Sequence, residues 1–130
     1  MADFTQALGI SASGMTAQTA RIGRLSENIA NVDTPGYHRK LVSFDAEVQR
    51  GQQTGRIEVG RTSLDQSPLS QIYDPSHPLA DETGHYNGSN VDLLVEIADA
   101  REAQRSYEAN LKMFEQIKQM SSGLLDLLRR

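Results

Sequence analysis

The prolines of this 130-residue chain are confined to its middle, and this distribution constrains the fold more than any other feature. All four lie between residues 35 and 78, so both ends are free of the residue that disfavours a helix most strongly. Each end also has helical periodicity. The sequence therefore predicts a mainly α fold, in which N- and C-terminal helices form a coiled-coil-like pair with a small irregular or β-hairpin segment between them.

An apolar stripe that advances by four and three residues in alternation predicts the N-terminal helix. Ser11 and Gln18 are its only polar members. A narrow stripe with this seven-residue repeat is typical of coiled coils and helical bundles, so we expect it to act as an assembly seam. The apolar members of this first seam are Phe4, Leu8, Met15, Ile22, Leu25, Ile29 and Val32.

Three glycines, Gly9, Gly14 and Gly23, lie inside the same predicted helix. Each interior Gly costs about 0.8–1.0 kcal/mol relative to Ala, which makes an isolated helix of this kind marginal in water. Small residues also allow neighbouring backbones to approach closely. We therefore favour a helix that orders when it packs tightly among others over a poorly formed surface helix.

The C-terminal helix is predicted from a capping-box-like start, Ser89 followed by Asp92, and from a second seam. After Phe114 this seam steps by an extra three residues, as in a coiled-coil stammer. As one helix, residues 90–129 would be about 60 Å long, so we expect a partner over most of that length. The apolar members of this second seam that we assign to assembly are Ile97, Tyr107, Leu111, Phe114, Ile117, Met120, Leu124 and Leu127.

These patterns divide the chain into three segments: 1–36 (first helix and its closing turn), 37–88 (an extended hairpin and loop arm) and 89–130 (the long C-terminal helix). Within the arm, Ile57 and Val59 alternate as in a half-buried strand, and residues 41–48 are a weaker strand candidate. Residues 73–88 are expected to form an extended loop, because residues that precede proline avoid the helical region.

Composition excludes several functions. The net charge is −4 and no basic stripe is present, which argues against nucleic-acid binding, and the absence of Cys excludes thiol chemistry. No catalytic or phosphate-binding motif occurs, so we expect neither an enzyme, nor a cofactor, nor a small-molecule substrate. The acidic and polar N-terminus predicts no cleaved signal peptide, and no apolar run approaches the ~20 residues of a membrane span.

A metal site in the loop is the third-ranked interpretation of the sequence. His77 and His85 lie near Asp74, Asp81 and Glu82, and all of these are possible ligands. A spacing of eight residues between two histidines across a loop does not define ligand geometry. Solvent-exposed histidines are therefore the favoured interpretation.

The stretch "SENIANVDTPGYHRK" (26–40) ends the first helix sharply. Pro35 pushes Thr34 out of the helical region, and Gly36 permits a left-handed reversal. Asn28 and Asn31 have side chains that can bond the last helical carbonyls and the turn amides. These residues predict a well-defined helix terminus.

The same stretch resembles the signature of the bacterial flagellar rod and hook protein family. The residues that carry this resemblance are Ser26, Asn28, Ala30, Asn31, Thr34, Pro35, Gly36 and Tyr37. The C-terminal segment is similar to that family's C-terminal helix at Asn90-Val91-Asp92, Arg105 and 107–110, and the loop 73–86 looks most like that of proximal rod proteins.

This resemblance implies a structural, non-catalytic subunit of the flagellar basal-body rod. Such a subunit would assemble into a helical tube through its terminal helices and help to transmit torque from the membrane ring to the distal rod and hook. The implied partners are copies of itself, other rod proteins, the inner-membrane ring and rod-adaptor proteins, and the flagellar type III export apparatus. The implied location is the periplasmic part of the basal body, within the cell envelope, after export without signal cleavage.

An alternative from a different class is a soluble helical-hairpin adaptor that binds another protein's helix in a groove. The two terminal seams discriminate between the readings. A polymer subunit needs both helices to contact neighbours, whereas an adaptor needs one groove only.

Overall fold

The computed structural model describes residues 2–129 and contains two long helices and two small antiparallel sheets. Met1 and Arg130, the outer ends of the first and third predicted segments, lie outside the described residues. The elements are α1 (Ala2–Ala30), β1 (Lys40–Gln49), β2 (Gln52–Leu64), β3 (Gln71–Tyr73), β4 (His85–Asn87) and α2 (Leu93–Leu128). Two terminal helices with a β-hairpin between them confirm the predicted fold class at this level.

The two helices pack against each other in antiparallel directions. Asn28 near the end of α1 bonds to Glu96 in the first turn of α2, and Gly14 lies beside the side chain of Asn110. These two contacts are two heptads apart on both helices, so one register holds between them. Coiled-coil packing in the strict sense, with side chains of each helix seated between those of the other, stays a prediction.

Helix α2 does not begin where the sequence predicted. The N-cap is Asp92, whose carboxylate accepts a bond from the backbone N–H of Leu94, and the helix begins at Leu93. Ser89 is not the cap, because its hydroxyl donates instead to the carbonyl of Val32 at the end of the first helix. Ser89, which the local pattern assigned to capping, makes a long-range contact instead.

The turn after α1 follows the local prediction. The helix ends at Ala30, and Gly36 has a φ of 73°, the left-handed conformation that Gly adopts at little cost. The amide of Gly36 donates to the carbonyls of Asn87 and Gly88, so the reversal is docked on the segment that leads into α2.

Strands β1 and β2 form a hairpin closed by Arg50 and Gly51, both with positive φ. This is the two-residue turn that matches the natural twist of paired strands. The hairpin lies along α1, where the amide of Ile57 donates to the hydroxyl of Ser13. Strands β3 and β4 pair where the sequence predicted an extended loop over 73–88, so that prediction is wrong at 73 and at 85–87.

The interior of the described chain contains very little apolar material. Its buried apolar residues are Ala17, Leu25 and Ala103, and the largest fully buried side chains are the polar Asn28 and Glu96. A domain of this size normally excludes water from a contiguous apolar core. Here polar contacts join the elements, and much of the apolar surface remains open.

Candidate functional site: a polar junction and the open helix faces

Asn28 joins three elements through its amide group. Its Oδ1 accepts bonds from the amide of Lys40 (2.8 Å) and from the hydroxyl of Tyr37 (2.9 Å). Its Nδ2 donates to the carbonyl of Lys40 (3.0 Å) and to Oε2 of Glu96 (3.2 Å). All the donors and acceptors of the side chain are therefore used, and the pair of bonds to Lys40 imitates a strand pairing. Asn28 fixes where the hairpin leaves the helices.

Glu96 and Arg39 form an ion pair beside this amide. Glu96 is fully buried, and its Oε1 accepts a 2.6 Å bond from Nε of Arg39. Arg39 also reaches Asp65 (3.3 Å) and Asp99 (3.8 Å). A buried carboxylate is costly unless it is paired and hydrogen-bonded, and here both oxygens of Glu96 have partners.

We call the cluster of Asn28, Arg39, Lys40, Asp65 and Glu96 the polar junction. Its charged groups stabilise one another. Partial burial lowers the pKa of Arg39, but the carboxylates of Glu96 and Asp65 outweigh it and raise that pKa above its usual value. Bonds from the hydroxyl and amide of Ser67, and then from Arg39, lower the pKa of Asp65. Both groups are therefore held in their charged forms.

Asn90 is a second polar centre at the base of the hairpin. Its Oδ1 accepts a 2.6 Å bond from the amide of Arg39, and its Nδ2 donates to the carbonyls of Asp65 and Ser67. Its own amide donates to the carbonyl of Tyr37. Asn90 therefore holds both ends of the hairpin against the start of α2.

The remaining residues of the predicted turn have local roles or face solvent. Nδ2 of Asn31 donates to the carbonyl of Glu27, and its Oδ1 accepts from the hydroxyl of Thr34. Burial raises the pKa of Tyr37, whose hydroxyl donates to Oδ1 of Asn28. The members of the motif that are exposed are Ser26, Ala30, Thr34, Pro35 and Gly36.

The seam predicted on α1 lies beside the contact with α2 rather than in its centre. Leu25 is buried, as is the polar seam position Ser11, whereas the buried positions Gly14 and Ala17 are outside the predicted stripe. Small residues occupy the contact, and the larger apolar ones flank it. The half-buried seam members are Phe4, Leu8, Met15, Ile22, Ile29 and Val32.

The seam predicted on α2 is more open still. Ala103, Asn110 and Glu96, which face α1, are not members of it. Tyr107, Phe114 and Ile117 are half-buried. The exposed members are Ile97, Leu111, Met120, Leu124 and Leu127.

The loop histidines are held by their own loop. The ring of His77 stacks on Tyr86 with centroids 3.9 Å apart, and its Nδ1 accepts a bond from the amide of Leu79. Within residues 2–129, no group of three His, Asp or Glu side chains is placed to hold a metal ion. In the same range no helix is apolar enough over a sufficient length to cross a bilayer.

Sequence reasoning missed Arg39, Lys40, Asp65 and Glu96 as parts of the site. The one available signal was a heptad spacing, because Glu96 lies seven residues before Ala103 and two heptads before Asn110. A charged residue on the partner-facing line of a helix implies a partner of opposite charge. Nothing in the local sequence identified Arg39 as that partner.

Two known protein families match the two parts of the chain that form this site. The family described as "Flagella basal body rod protein" matches residues 8–38, which include Asn28 and the turn. The family described as "Flagellar basal body rod FlgEFG protein C-terminal" matches residues 82–127, which include Asn90 and Glu96.

Relatives that are similar over nearly the whole chain belong to the same family of rod proteins. The chain is 38% identical to the flagellar basal-body rod protein FlgC of Agrobacterium fabrum, covering 99% of this chain and 98% of that protein. It is 33% identical to FlgC of Salmonella typhimurium, covering 91% and 92%, and 37% identical to FlgC of Aquifex aeolicus, covering 92% and 93%. On this similarity, the chain belongs to the FlgC family of flagellar basal-body rod proteins.

Proposed function

We propose that this chain, a structural subunit of the flagellar rod, builds the proximal rod by packing its terminal helices against those of neighbouring subunits. The rod would then pass torque from the membrane ring to the distal rod and hook. The observation that carries this proposal is the open apolar surface along α2, beside a seam on α1 whose larger apolar residues are only half-buried. Leu124 is 42% exposed and Leu127 is 66% exposed in the single chain.

The amount of buried apolar surface supports assembly. Burying apolar surface is the main favourable contribution to folding and to most association, at about 25 cal/mol per Å². Ala17, Leu25 and Ala103 are the buried apolar residues of the described chain, so its half-buried and exposed apolar residues leave further surface for contacts between subunits. Contiguous exposed apolar surface of this kind is typical of interaction sites.

The polar junction supports a mechanical role. A shaft transmits torque only when its subunits do not yield internally. The ion pair of Arg39 with Glu96 and the four bonds of Asn28 tie both helices to the base of the hairpin. Force applied to either helix would therefore reach the hairpin through buried, well-satisfied polar contacts.

The partners follow from this role. Copies of the chain and other rod proteins would contact the helix faces, and ring and rod-adaptor proteins would contact the membrane-proximal end. The flagellar type III apparatus would export the chain without signal cleavage, and the assembled rod would lie in the periplasm. The chain would bind no nucleic acid and no small-molecule substrate, and it would catalyse no reaction.

The helical-hairpin adaptor is the weaker candidate. An adaptor needs one groove, whereas exposed apolar residues lie on more than one side of this helix pair. Ile97 and Leu127 are separated by about 120° around α2 at 100° per residue. Two apolar sides suit a subunit with neighbours on both.

Deleting the gene and imaging isolated basal bodies tests the proposal. We expect non-motile cells whose basal bodies have a ring but no rod, with both restored by the full-length chain. Cells that still assemble complete rods and swim without the chain would contradict the proposed role.

A further inference from the structure

We infer that Asn87 is a deamidation site, which strand pairing blocks in the folded chain and which becomes reactive when the chain unfolds. The reaction consumes only water, so the chain's own groups carry it out. This inference goes beyond the proposed function and does not depend on it, because it concerns one side chain and the two short strands around it.

The sequence at Asn87 is the one in this chain that favours deamidation. The next residue is Gly88, which has no side chain to hinder the approach of its amide nitrogen to the Asn side chain. The other asparagines precede Ile, Val or Leu, whose side chains crowd the same approach. These four are Asn28, Asn31, Asn90 and Asn110.

Deamidation is an attack of the main chain on the side chain. After the amide of Gly88 loses its proton to a base in solvent, its nitrogen bonds to Cγ of Asn87 and closes a succinimide ring. The bond between Cγ and Nδ2 breaks, and Nδ2 leaves as ammonia with a proton from solvent. Water then opens the ring at either carbonyl, which gives Asp or isoaspartate, and no atom is oxidised or reduced.

Strand pairing occupies the attacking nitrogen. The amide of Gly88 donates a 2.8 Å bond to the carbonyl of Ser70. Gly88 is also buried, so a base in solvent reaches its amide only when the strands separate. In the folded chain this nitrogen can neither lose its proton readily nor turn towards Cγ of Asn87.

The side chain under attack is held as well. Across the β3–β4 pair, Nε2 of Gln71 donates a 2.5 Å bond to Oδ1 of Asn87. The main chain of Asn87 is extended, and its carbonyl accepts a bond from the amide of Gly36. In a strand the side chain points out of the pleat and away from the following nitrogen. The rate of deamidation should therefore follow the fraction of chains in which β3 and β4 are apart.

The isoaspartate product does not fit back into β4. Its main chain runs through the former side-chain carbon and is longer by one methylene group, so the pairing register on either side of it cannot be kept. The bonds from Gly88 to Ser70 and from Gly36 to Asn87 would be lost. The Asp product keeps the original main chain and can still accept the bond from Gln71, so it would refold.

Ageing the full chain in the folded and the unfolded state tests the inference. Two samples stand in the same mildly alkaline buffer, one of them with enough guanidinium chloride to unfold the chain, and peptide mapping by mass spectrometry follows every asparagine. We expect Asn87 to be the main site in denaturant and to react at least about tenfold more slowly in the folded sample. Equal rates in the two samples, or no preference for Asn87 in denaturant, would overturn the inference.

A pair of variants tests the contact with Gln71. Gln71→Ala removes the bond that holds Oδ1 of Asn87, so deamidation of the folded chain should become several-fold faster while the rate in denaturant stays the same. Gln66→Ala is the matched control, because its side chain bonds to the carbonyl of Leu64 and lies outside the β3–β4 pair. An unchanged rate in folded Gln71→Ala, or an equal rise in both variants, would show that this contact does not control the reaction.

Hydrogen exchange of the refolded products tests the structural consequence. Chains aged in denaturant are returned to native buffer, and the Asp and isoaspartate forms are separated by chromatography. The amide of Gly36 should exchange at least about tenfold faster in the isoaspartate form than in the Asp form. The same exchange rate in both forms would contradict the loss of the bond between Gly36 and position 87.

Discussion

Nδ2 of Asn28 donates a 3.2 Å hydrogen bond to Oε2 of Glu96, and these are the two largest fully buried side chains of the described chain. A polar contact thus occupies the place where an apolar core would otherwise join the helices. Polar pairs of this kind require one geometry, because any other leaves buried groups without partners. The orientation of the helices and hairpin is specified there, while the apolar faces remain available to neighbours.

Replacing Asn28 should be strongly destabilising. Asn28→Ala removes four bonds and leaves one oxygen of Glu96 without its donor, so we expect a loss of roughly 2–4 kcal/mol in the free energy of unfolding. Asn31→Ala is the matched control and should cost about 1 kcal/mol or less, because its bonds are local. Urea denaturation of both purified variants measures the difference. Equal losses would mean that Asn28 is not a structural centre.

Removing the cation of the junction should also be costly. Arg39→Met leaves the buried carboxylate of Glu96 without its ion-pair partner, and breaking a buried pair in this way costs about 3–5 kcal/mol. Arg24→Met removes a more exposed pair with Glu27 and should change stability by no more than about 0.5 kcal/mol. The same denaturation experiment applies. A small effect of Arg39→Met would show that the pair with Glu96 does not stabilise the folded chain.

Replacing two of the glycines of α1 by Ala should change the stability of the chain in opposite directions. A Cβ at Gly14 would lie 2.7 Å from Oδ1 of Asn110, so Gly14→Ala must displace that side chain and should destabilise the single chain by about 1 kcal/mol. Nothing lies within 4 Å of a Cβ at Gly23, so Gly23→Ala should stabilise the helix by about 0.8–1.0 kcal/mol. Thermal unfolding followed by circular dichroism compares the two. Stabilisation by both substitutions would contradict the close approach at Gly14.

Acid should weaken the junction through Asp65. Bonds from Ser67 and then from Arg39 lower its pKa in the folded chain, so the unfolded chain binds the proton more readily. The stabilisation is present above the unfolded pKa of about 3.9 and is lost as the pH falls through the lower folded value. The melting temperature should therefore drop more steeply as the pH falls below about 4 in the natural chain than in Asp65→Asn. Parallel curves would mean that Asp65 contributes nothing to this dependence.

The sequence predicted those features that depend on local chemistry. The left-handed Gly36, the two terminal helices and a hairpin in the middle follow from glycine and proline geometry and from periodicity. The cap of α2 was misassigned because Ser89 is used by a contact with Val32, which lies 57 residues away along the chain. The junction could not be predicted for the same reason: the partner of Glu96 is Arg39, and no local pattern connects them.

The two seams show a second limit of prediction from the sequence. Periodicity identified apolar stripes, yet it could not say which side of each stripe the other helix occupies. In the structure Leu25 is buried within the single chain, whereas Leu127, a member of the other seam, is exposed. A charge at Leu25 would therefore disturb the single chain as well as its assembly, and a charge at Leu127 is the cleaner probe of contacts between subunits.

The most direct test of the central claim is rod assembly in cells whose only copy of the chain carries Leu127→Asp. Because Leu127 is 66% exposed, the substitution should change the stability of the purified chain by no more than about 0.5 kcal/mol. Burying an unpaired carboxylate between subunits is costly, so basal bodies imaged by electron microscopy should have rings but no complete rods, and the cells should not swim. Gln119→Asp, on the outer face of the same helix, should assemble normally. Complete rods and normal swimming with Leu127→Asp would contradict assembly through the open helix faces.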